Sequence, residues 1–299
     1  MHDPVLLNQV LDVLKLKSGS RVIDCTINGG GHSLAILKNI MPDGKILGIE
    51  YDPQIYRNLL AKLDEDENKW VGSSLIVVND SYVNIEQIAL NHGFLKPEAI
   101  LFDFGISSFH VDVAERGFTF QKDQPLDMRF SNKDRSITAE AILNESTEEE
   151  LADILFFLGE ERFARAIARA IVRVRSSEPI KTTFQLNKII ESSVPAWYRR
   201  GRINSATKTY QALRIAVNTE LVAVEEGLAR AFSILTTGGR IAAISFHSLE
   251  DRIIKNAFNT YVKSGAGILP FKKVITADKA ELKRNPRSRS AKLRVIEKI

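Results

Sequence analysis

Three acidic residues and a run of glycines carry the chemistry that this sequence suggests first. Asp24 ends a short β-branched run, residues 29–31 are all glycine, and Glu50 directly follows a second apolar run. Glycines at such a turn let the backbone approach a ligand closely, and an acid after the second strand can accept both hydroxyls of a ribose. The pattern favours a nucleotide-like ligand over a βαβ turn whose glycines have only a structural role. A third acid, Asp103, ends a later apolar run.

The residues before and after the glycines indicate which nucleoside ligands are compatible with this turn. Their spacing only loosely matches the dehydrogenase G-x-G-x-x-G pattern, and no Lys-Ser/Thr pair follows them, which excludes a P-loop. Asp24 lies five residues before Gly29, where S-adenosylmethionine enzymes usually carry an acid facing the methionine end. The residues therefore favour S-adenosylmethionine, while a nicotinamide dinucleotide stays open.

The elements that must position these residues alternate along the chain. Apolar runs at 22–25, 46–49, 75–78, 99–104 and 240–245 predict five strands separated by helical patterns, including one long helix at 208–235. Runs at 271–276 and 292–299 predict a terminal pair of strands. Such alternation indicates an α/β fold with a parallel sheet covered on both faces. Because no second mononucleotide-binding half is visible, the layout favours a Rossmann-like class I methyltransferase over a dehydrogenase.

The domain organisation follows from where the alternation stops. Residues 1–108 and 206–299 are expected to form the methyltransferase domain, and residues 109–205 a mainly helical, inserted substrate-recognition domain. Residues 109–135 contain no long periodic run but many charged and aromatic residues, which is typical of a functional loop, and the part at 115–129 is expected to line the pocket of the target base.

Composition sets the compartment and excludes several kinds of site. The single cysteine, Cys25, excludes disulfides and CxxC sites, and no HxH or HExxH motif points to a metal. No apolar run approaches the roughly 20 residues that cross a bilayer. We therefore expect a cytoplasmic protein without a membrane segment and without a bound metal.

The charge is unevenly distributed, which favours nucleic acid as a partner. The net charge of +4 combines −11 over residues 1–158 with +8 over 159–215 and +7 over 270–299. Arg162, Arg165, Arg169 and Arg173 recur along one side of a predicted helix at 160–175. Residues 197–202, Trp-Tyr-Arg-Arg-Gly-Arg, form a basic-aromatic patch that could grip RNA backbone and stack on bases. A solvated helix face and a loop with a half-buried tryptophan are the structural alternatives.

Longer motifs closely resemble the bacterial 16S rRNA (cytosine-N4)-methyltransferase family, also called the RsmH or MraW family. They span nearly the whole chain in order, which makes the resemblance highly specific. The motifs are His2-x-Pro-Val-Leu-Leu7, Gly30-Gly-His-Ser33, Asp103-Phe-Gly-Ile-Ser-Ser108, Glu115-Arg-Gly-Phe118, Pro125-Leu-Asp-Met-Arg129, Gly159-Glu-Glu-Arg-Phe-Ala164, Ile167-Ala-Arg-Ala-Ile171, Tyr210-Gln-Ala-Leu-Arg-Ile-Ala-Val-Asn218, Ile244-Ser-Phe-His-Ser-Leu-Glu-Asp-Arg252 and Asn285-Pro-Arg-x-Arg-Ser-Ala-x-Leu-Arg294.

This resemblance implies S-adenosylmethionine as methyl donor and a cytidine in the decoding region of the small-subunit rRNA as acceptor. Carried over motif by motif, it places donor contacts on Gly30, Gly31, His32, Glu50, Tyr82, Asp103 and His110. The chain departs from the usual family pattern at several of these places. Asn28-Gly29 replaces Gly-Arg, Glu50 replaces Asp, Tyr82 replaces Phe and His110 replaces Gln, so donor affinity is the property that these positions put in question.

The residues themselves narrow the methylation chemistry. Methylating carbon 5 of a pyrimidine requires a cysteine nucleophile, and the only cysteine lies inside a predicted core strand. An exocyclic amine needs no covalent intermediate, only orientation and an acceptor for its hydrogen bonds. Asp103 is our candidate catalytic residue for that task, with donor binding alone as its other reading. Candidate substrate contacts are Arg129, Arg165, Arg169, Trp197 and His247, although a buried histidine more often has only a structural role.

Two other functions stay open from the sequence. A nicotinamide dehydrogenase would share the glycine turn, and a non-catalytic ribosome-assembly factor would share the basic surfaces. The expected partner is small-subunit rRNA or the 30S subunit, and the sequence does not decide between the assembled subunit and free rRNA. The oligomeric state is open as well, with a homodimer as one option.

Overall fold

The structure, a computed structural model, describes residues 4–65, 74–131 and 137–299. His2, which opens the first family motif, lies outside these residues. The chain divides into two compact units. We call residues 1–105 and 221–299 the sheet unit, and residues 106–220 the helical unit.

The sheet unit contains a seven-stranded sheet. Its strands are β1 (Arg21–Asp24), β2 (Lys45–Ile49), β3 (Leu75–Val78), β4 (Ala99–Asp103), β5 (Arg240–Ser245), β6 (Gly267–Ile268) and β7 (Lys292–Lys298). They lie in the order β3-β2-β1-β4-β5-β7-β6. Strands β1 to β5 are parallel, and β7 runs antiparallel to both β5 and β6. The predicted α/β fold with a parallel sheet is confirmed.

Helices cover both faces of this sheet because successive strand residues point to opposite sides. Val22 of β1 packs in a core with residues of the helices before and after β1, while Ile23 packs in a second core with residues of the helices that flank β5. This double burial explains why the strand runs are almost wholly apolar. The helices of this unit are α1 (Leu7–Val13), α2 (Gly31–Ile40), α3 (Pro53–Glu65), α4 (Ile85–Asn91), α12 (Glu220–Ile234, whose first residue belongs to the helical unit), α13 (Ser248–Lys263) and α14 (Lys279–Arg284), with 3-10 turns at Tyr82–Asn84 and Pro286–Ser290.

The helical unit has its own apolar core. Thr147 caps one of its helices by accepting a hydrogen bond from the Glu150 amide, and the Glu150 carboxylate accepts from the Thr147 amide, as the sequence predicts. The unit begins and ends outside the predicted 109–205. Its helices are α5 (Ser108–Asp112), α6 (Ala139–Glu145), α7 (Glu148–Asp153), α8 (Ala164–Arg175), α9 (Thr183–Ser193), α10 (Ala196–Arg199) and α11 (Thr207–Asn218), and a π-helical turn spans Ile154–Leu158.

Two predicted elements are wrong. The predicted helix at 208–235 is two helices, because Thr219 adopts a left-handed conformation with φ 48° and ends α11. The Asn218 side chain stabilises this break by donating to the Met128 carbonyl and accepting from the Phe130 amide. The predicted strand at 271–276 makes only a single bridge from Ile275 to β7, and the short β6 pairs with β7 instead.

No helix in the part of the chain that the structure describes is long and apolar enough to cross a membrane.

Candidate functional site

The carboxyl ends of the parallel strands gather most of the predicted donor contacts at one edge of the sheet. Gly30, Gly31 and His32 lie where β1 gives way to α2, and Glu50 directly follows β2. Tyr82 lies after β3, and Asp103 is the final residue of β4. Since ligands of open α/β sheets bind beyond the carboxyl ends of the strands, this edge is the candidate site.

A hydrogen-bonded network ties the ends of β1 and β4 together. The Asp24 carboxylate accepts from the Ser33 hydroxyl at 2.6 Å and from the Thr26 amide at 3.2 Å. The Thr26 hydroxyl oxygen in turn accepts from the Asp103 amide at 2.7 Å. The backbone at Asp103 is therefore fixed by a residue that follows Asp24. Thr26 and Ser33 were missed as site residues, although their position beside Asp24 and the glycines was a signal.

The glycine turn is shaped by the chain segment at residues 4–6 that covers it. A Cβ atom on Gly31 would lie 2.6 Å from Cγ of Pro4, whereas a Cβ on Gly29 would meet nothing within 4 Å. Gly30 precedes α2 with φ 79°, a conformation that glycine adopts without strain. Gly31 is thus required by packing against Pro4, while space remains open at Gly29.

His32 joins the same segment and is held neutral. Its Nε2 lies 2.9 Å from the Val5 carbonyl oxygen, and because a carbonyl only accepts, Nε2 carries the proton. Burial lowers the pKa of His32 to about 4. The unprotonated Nδ1 faces the Asp103 carboxylate at 3.9 Å, which is beyond hydrogen-bonding distance. His32 therefore presents a lone pair, not a charge, towards Asp103.

Glu50 is buried, yet it is connected to two backbone donors. One carboxylate oxygen accepts from the Asn28 amide at 3.1 Å, and the other from the Asp52 amide at 2.8 Å. Asn28 has φ 48°, a left-handed conformation that asparagine tolerates better than most residues. Burial, together with the nearby charges of Asp52 and Asp24, raises the pKa of Glu50 to about 8. Each oxygen keeps a second hydrogen-bonding position, so the group can still pair with ligand hydroxyls, as an acceptor when ionised and as both donor and acceptor when protonated.

Asp103 combines a raised pKa with an unsatisfied oxygen. Its side chain is 18% exposed, but Oδ1 is buried and accepts no hydrogen bond from the residues that the structure describes. Burial and the nearby charge of Asp24 raise its pKa to about 7. A buried acceptor without a donor is costly, which points to a donor supplied by a ligand. Asp103 is thus a strand-end acid whose buried oxygen is available to a bound amine or hydroxyl.

The aromatic side of this edge is formed by Tyr82. Its ring packs edge-on against Phe102 at 5.6 Å and Phe104 at 5.9 Å between centroids, the two residues that flank Asp103. A Cβ on Gly227 would lie 2.6 Å from the Tyr82 ring, so α12 leaves room for it there. Tyr82 is therefore fixed beside the end of β4.

His247 follows β5 and caps α13. Its Nδ1 accepts from the Glu250 amide at 3.3 Å, and Nε2 lies 3.1 Å from the Glu250 carboxylate. The carboxylate of Glu250 also accepts from the Phe246 amide at 2.8 Å. His247 thus caps α13 in the structure. The sequence suggests it as a contact to the substrate at this edge of the sheet.

His110, the last of the predicted donor contacts, lies in the helical unit. It is buried, and its ring lies 4.9 Å from Phe118 and 4.8 Å from Phe130 between centroids. Its Nδ1 accepts from the Ser107 amide at 3.3 Å, which completes the cap of α5. The histidine at this family position is thus integrated into an aromatic cluster.

The predicted RNA contacts of the helical unit have different environments. Arg129 forms two hydrogen bonds of 2.8 Å to the Asp127 carboxylate, so its guanidinium is already engaged. Arg169 is 73% exposed and lies 3.5 Å from Glu148. Arg165 is exposed and makes no ion pair with any residue that the structure describes. Of the three, Arg165 is the most available to a polyanion.

Trp197 is the exposed ring of a surface cluster of one cation and three aromatic rings, which we define as Arg162, Phe163, Trp197 and Tyr198. Trp197 is 58% exposed, and the Arg162 guanidinium lies 5.1 Å from its ring centroid and 5.4 Å from that of Tyr198. The Tyr198 hydroxyl donates to Glu161 at 2.6 Å, which fixes the ring. Arg162 belongs to the predicted arginine stripe, but its place beside Trp197 could not be read from spacing.

Comparison with known proteins gives one consistent family. The MraW methylase family matches residues 1–299. Proteins called ribosomal RNA small subunit methyltransferase H are similar over the whole chain. That of Dehalococcoides mccartyi is 43% identical, covering 100% of this chain and 86% of the relative. That of Symbiobacterium thermophilum is 40% identical (100% and 96%), and that of Heliobacterium modesticaldum 42% (100% and 98%).

Proposed function

This chain belongs to the MraW methylase family, and we propose that it transfers a methyl group from S-adenosylmethionine to the N4 amine of a cytidine in the decoding region of small-subunit rRNA. The family match over residues 1–299 sets aside the dehydrogenase alternative. The observation that carries the reaction is the buried, unsatisfied Oδ1 of Asp103 at the end of β4. The relatives are called ribosomal RNA small subunit methyltransferases, and this supports small-subunit rRNA as the substrate.

The donor is held by the residues at the edge of the sheet. Glu50 accepts from ribose hydroxyls, and the open space at Gly29 leaves the glycine turn accessible to the methionine part. Tyr82 supplies an aromatic surface beside β4. When bound, S-adenosylmethionine supplies a methyl group on a positively charged sulfur, which is already electrophilic. The protein is left with positioning and with electrostatic stabilisation.

Asp103 orients the acceptor amine. The lone pair of a cytosine amine is delocalised into the ring, so it becomes nucleophilic only as the nitrogen pyramidalises. A carboxylate that accepts an amine hydrogen favours that geometry and can take the proton that the nitrogen loses after transfer. With a pKa raised to about 7, Asp103 exchanges a proton close to neutral pH. Neutral His32, 3.9 Å away, adds no competing positive charge.

The alternative pyrimidine chemistry lacks its nucleophile. Attack on carbon 6, which activates carbon 5, requires a thiolate. The single cysteine, Cys25, is 2% exposed, and burial raises its pKa well above the ordinary value. A group that is buried and protonated cannot reach a nucleotide. This favours the exocyclic amine over carbon 5 as the methylated atom.

The helical unit is the proposed substrate-recognition domain. Its exposed cluster of Arg162, Phe163, Trp197 and Tyr198 offers both a cation and an aromatic face, the combination that binds unpaired nucleotides. The target base must be unpaired or flipped out to reach the amine-binding edge. A substrate within the small ribosomal subunit places the reaction in the cytoplasm.

The test is transfer of a labelled methyl group to 30S subunits and to protein-free 16S rRNA, both from cells that lack this enzyme. Modified RNA is digested and the labelled nucleoside is identified by mass spectrometry and mapped. We expect N4-methylcytidine at one decoding-region position. Label on carbon 5, on a ribose or at another region would contradict the proposal. Binding without any transfer would support a non-catalytic assembly factor instead.

A further inference from the structure

A strongly basic segment connects β6 to β7 in the sheet unit. We call residues 272–289 the basic segment. It contains seven lysines and arginines and two acids, Asp278 and Glu281. None of these cations belongs to the donor site described above, and the helical unit does not contain them. The cations are Lys272, Lys273, Lys279, Lys283, Arg284, Arg287 and Arg289.

The topology of the sheet brings the end of this segment to the edge that carries Asp103. Strand β7 begins at Lys292, which pairs with Ser245, the last residue of β5. Because β5 is parallel to β4, with Ile244 opposite Asp103, β7 enters the sheet at the carboxyl ends of the parallel strands. The 3-10 turn Pro286–Ser290 directly precedes that entry point.

A buried hydrogen bond anchors the segment to the covering chain at residues 4–6. Oε1 of Glu281 accepts from the Leu6 amide at 2.6 Å, and Glu281 is only 7% exposed. Leu6 directly follows Val5, whose carbonyl accepts from His32, and Pro4 packs on Gly31. The basic segment is therefore connected to His32, which faces Asp103, through two hydrogen bonds and the peptide bond between Val5 and Leu6.

Both acids of the segment are occupied by backbone amides. Asp278 caps α14 by accepting from the Glu281 amide at 2.8 Å, and Glu281 accepts from Leu6. Lys279, Lys283 and Arg289 are exposed and form no ion pair with any residue in the described ranges. These three cations are thus not paired with Asp278 or Glu281, while buried Ser288 holds the turn by donating to the Asn285 carbonyl at 2.7 Å.

We propose that the basic segment is a phosphate-binding surface of the sheet unit, which holds the backbone of the RNA strand next to the target nucleotide. This rests on the function proposed above, since it requires an RNA substrate at the carboxyl edge of the sheet. Exposed cations on a segment whose backbone is anchored fit the regular charge of a phosphate backbone. Such contacts position a strand without reading its sequence.

The experiment replaces the three exposed cations together, Lys279→Gln, Lys283→Gln and Arg289→Gln. The matched control replaces three exposed lysines at the opposite, amino edge of the parallel strands, Lys17→Gln, Lys45→Gln and Lys96→Gln. Both variants lose three positive charges, so they differ only in where the charge was. Equilibrium binding to 30S subunits and to protein-free 16S rRNA is measured from about 50 to 200 mM salt. S-adenosylmethionine affinity, measured by calorimetry, reports whether each variant is folded.

We expect the basic-segment variant to bind both RNA substrates about tenfold or more weakly at low salt, with the slope of log K against log salt reduced by about 2. Donor affinity stays within about twofold, and the control variant keeps the wild-type slope. Equal binding and equal slopes in the two variants would overturn the inference. Weaker binding to 30S subunits alone would overturn it too, because the occupant would then be an acidic ribosomal protein.

Failure of the proposed function gives a different result. In that case the wild-type protein methylates neither substrate, whatever its affinity. If the glutamine variant loses donor affinity, the same comparison is made with two single variants. Lys283→Gln is expected to reduce the slope by about 0.7, and Lys45→Gln is expected to keep the wild-type slope. If these two single variants have identical slopes while the wild-type protein methylates its substrate, the basic segment does not bind RNA phosphates, and the proposed function is unaffected.

Discussion

Pro4 packs so closely on Gly31 that a single added methyl group should displace the covering segment at residues 4–6. In Gly31→Ala the new methyl group would lie 2.6 Å from Cγ of Pro4, 3.4 Å from Cδ and 3.5 Å from Cβ. Ordinary carbon contacts are about 3.5 to 4.0 Å, so the covering segment must move by about 1 Å. That movement strains the Val5–His32 and Leu6–Glu281 hydrogen bonds, of 2.9 and 2.6 Å.

The expected magnitude follows from two opposing effects. Overpacking costs about 1 to 3 kcal/mol, while alanine at the start of α2 recovers less than about 1 kcal/mol of helix propensity. We expect a net loss of about 1 to 2 kcal/mol. For a unit of this size, that lowers Tm by about 2 to 8 °C. S-adenosylmethionine binding weakens as well, because His32 and the glycine turn shift with the segment.

Thermal unfolding followed by circular dichroism and donor titration by calorimetry measure the two effects. Gly29→Ala is the control, since its methyl group would meet nothing within 4 Å and Gly29 has no positive φ. Pro4→Ala removes Cγ and Cδ, so the double variant with Gly31→Ala should recover most of the lost stability. Equal Tm and affinity for Gly31→Ala and Gly29→Ala, or no recovery in the double variant, would refute the reasoning.

Three further outcomes follow from the site. Asp103→Asn should lower kcat about 100-fold or more while the donor Kd changes less than about tenfold, and unchanged turnover would show that Asp103 only binds the donor. The folded protein keeps the proton of Glu50 up to a pKa of about 8, whereas the unfolded chain releases it near 4.5, so this group makes stability fall as pH rises between those values. Urea unfolding of Glu50→Gln between pH 5 and 8 should therefore show a flatter pH dependence than wild type, and an equal slope would contradict the assigned burial effect. Trp197→Ala should weaken RNA binding by about 1 to 3 kcal/mol and leave donor affinity unchanged, and Phe184→Ala, exposed at 43% in the same unit, should do neither.

Local sequence patterns predicted where the strands of the sheet unit end. Strand runs such as Lys45–Ile49 and Ala99–Asp103 are apolar because both faces of a parallel sheet are buried, and they end where polar side chains can reach solvent or ligand. Glu50 and Asp103 were therefore found as strand-end acids. The capping box of Thr147 is equally local and equally visible.

Features that depend on distant partners were not visible in local patterns. The break at Thr219 contains neither glycine nor proline, and it depends on hydrogen bonds between Asn218 and the backbone of Met128 and Phe130, about 90 residues away. The bond between Leu6 and Glu281 spans 275 positions. Periodicity reports which side of an element is buried, but it carries no information about such pairs.

The bond between Leu6 and Glu281 also has a consequence for biosynthesis. A ribosome makes about 5 to 20 residues per second, so Leu6 emerges many seconds before its partner Glu281 exists. Strand β7, which separates β5 from β6 in the sheet, is made later still. A nascent chain that already contains the glycine turn, Glu50 and Asp103 therefore lacks the anchor of its covering segment. We expect the candidate donor site to be held firmly in place only once β7 has been made, so that incomplete translation products bind the methyl donor more weakly than the full chain.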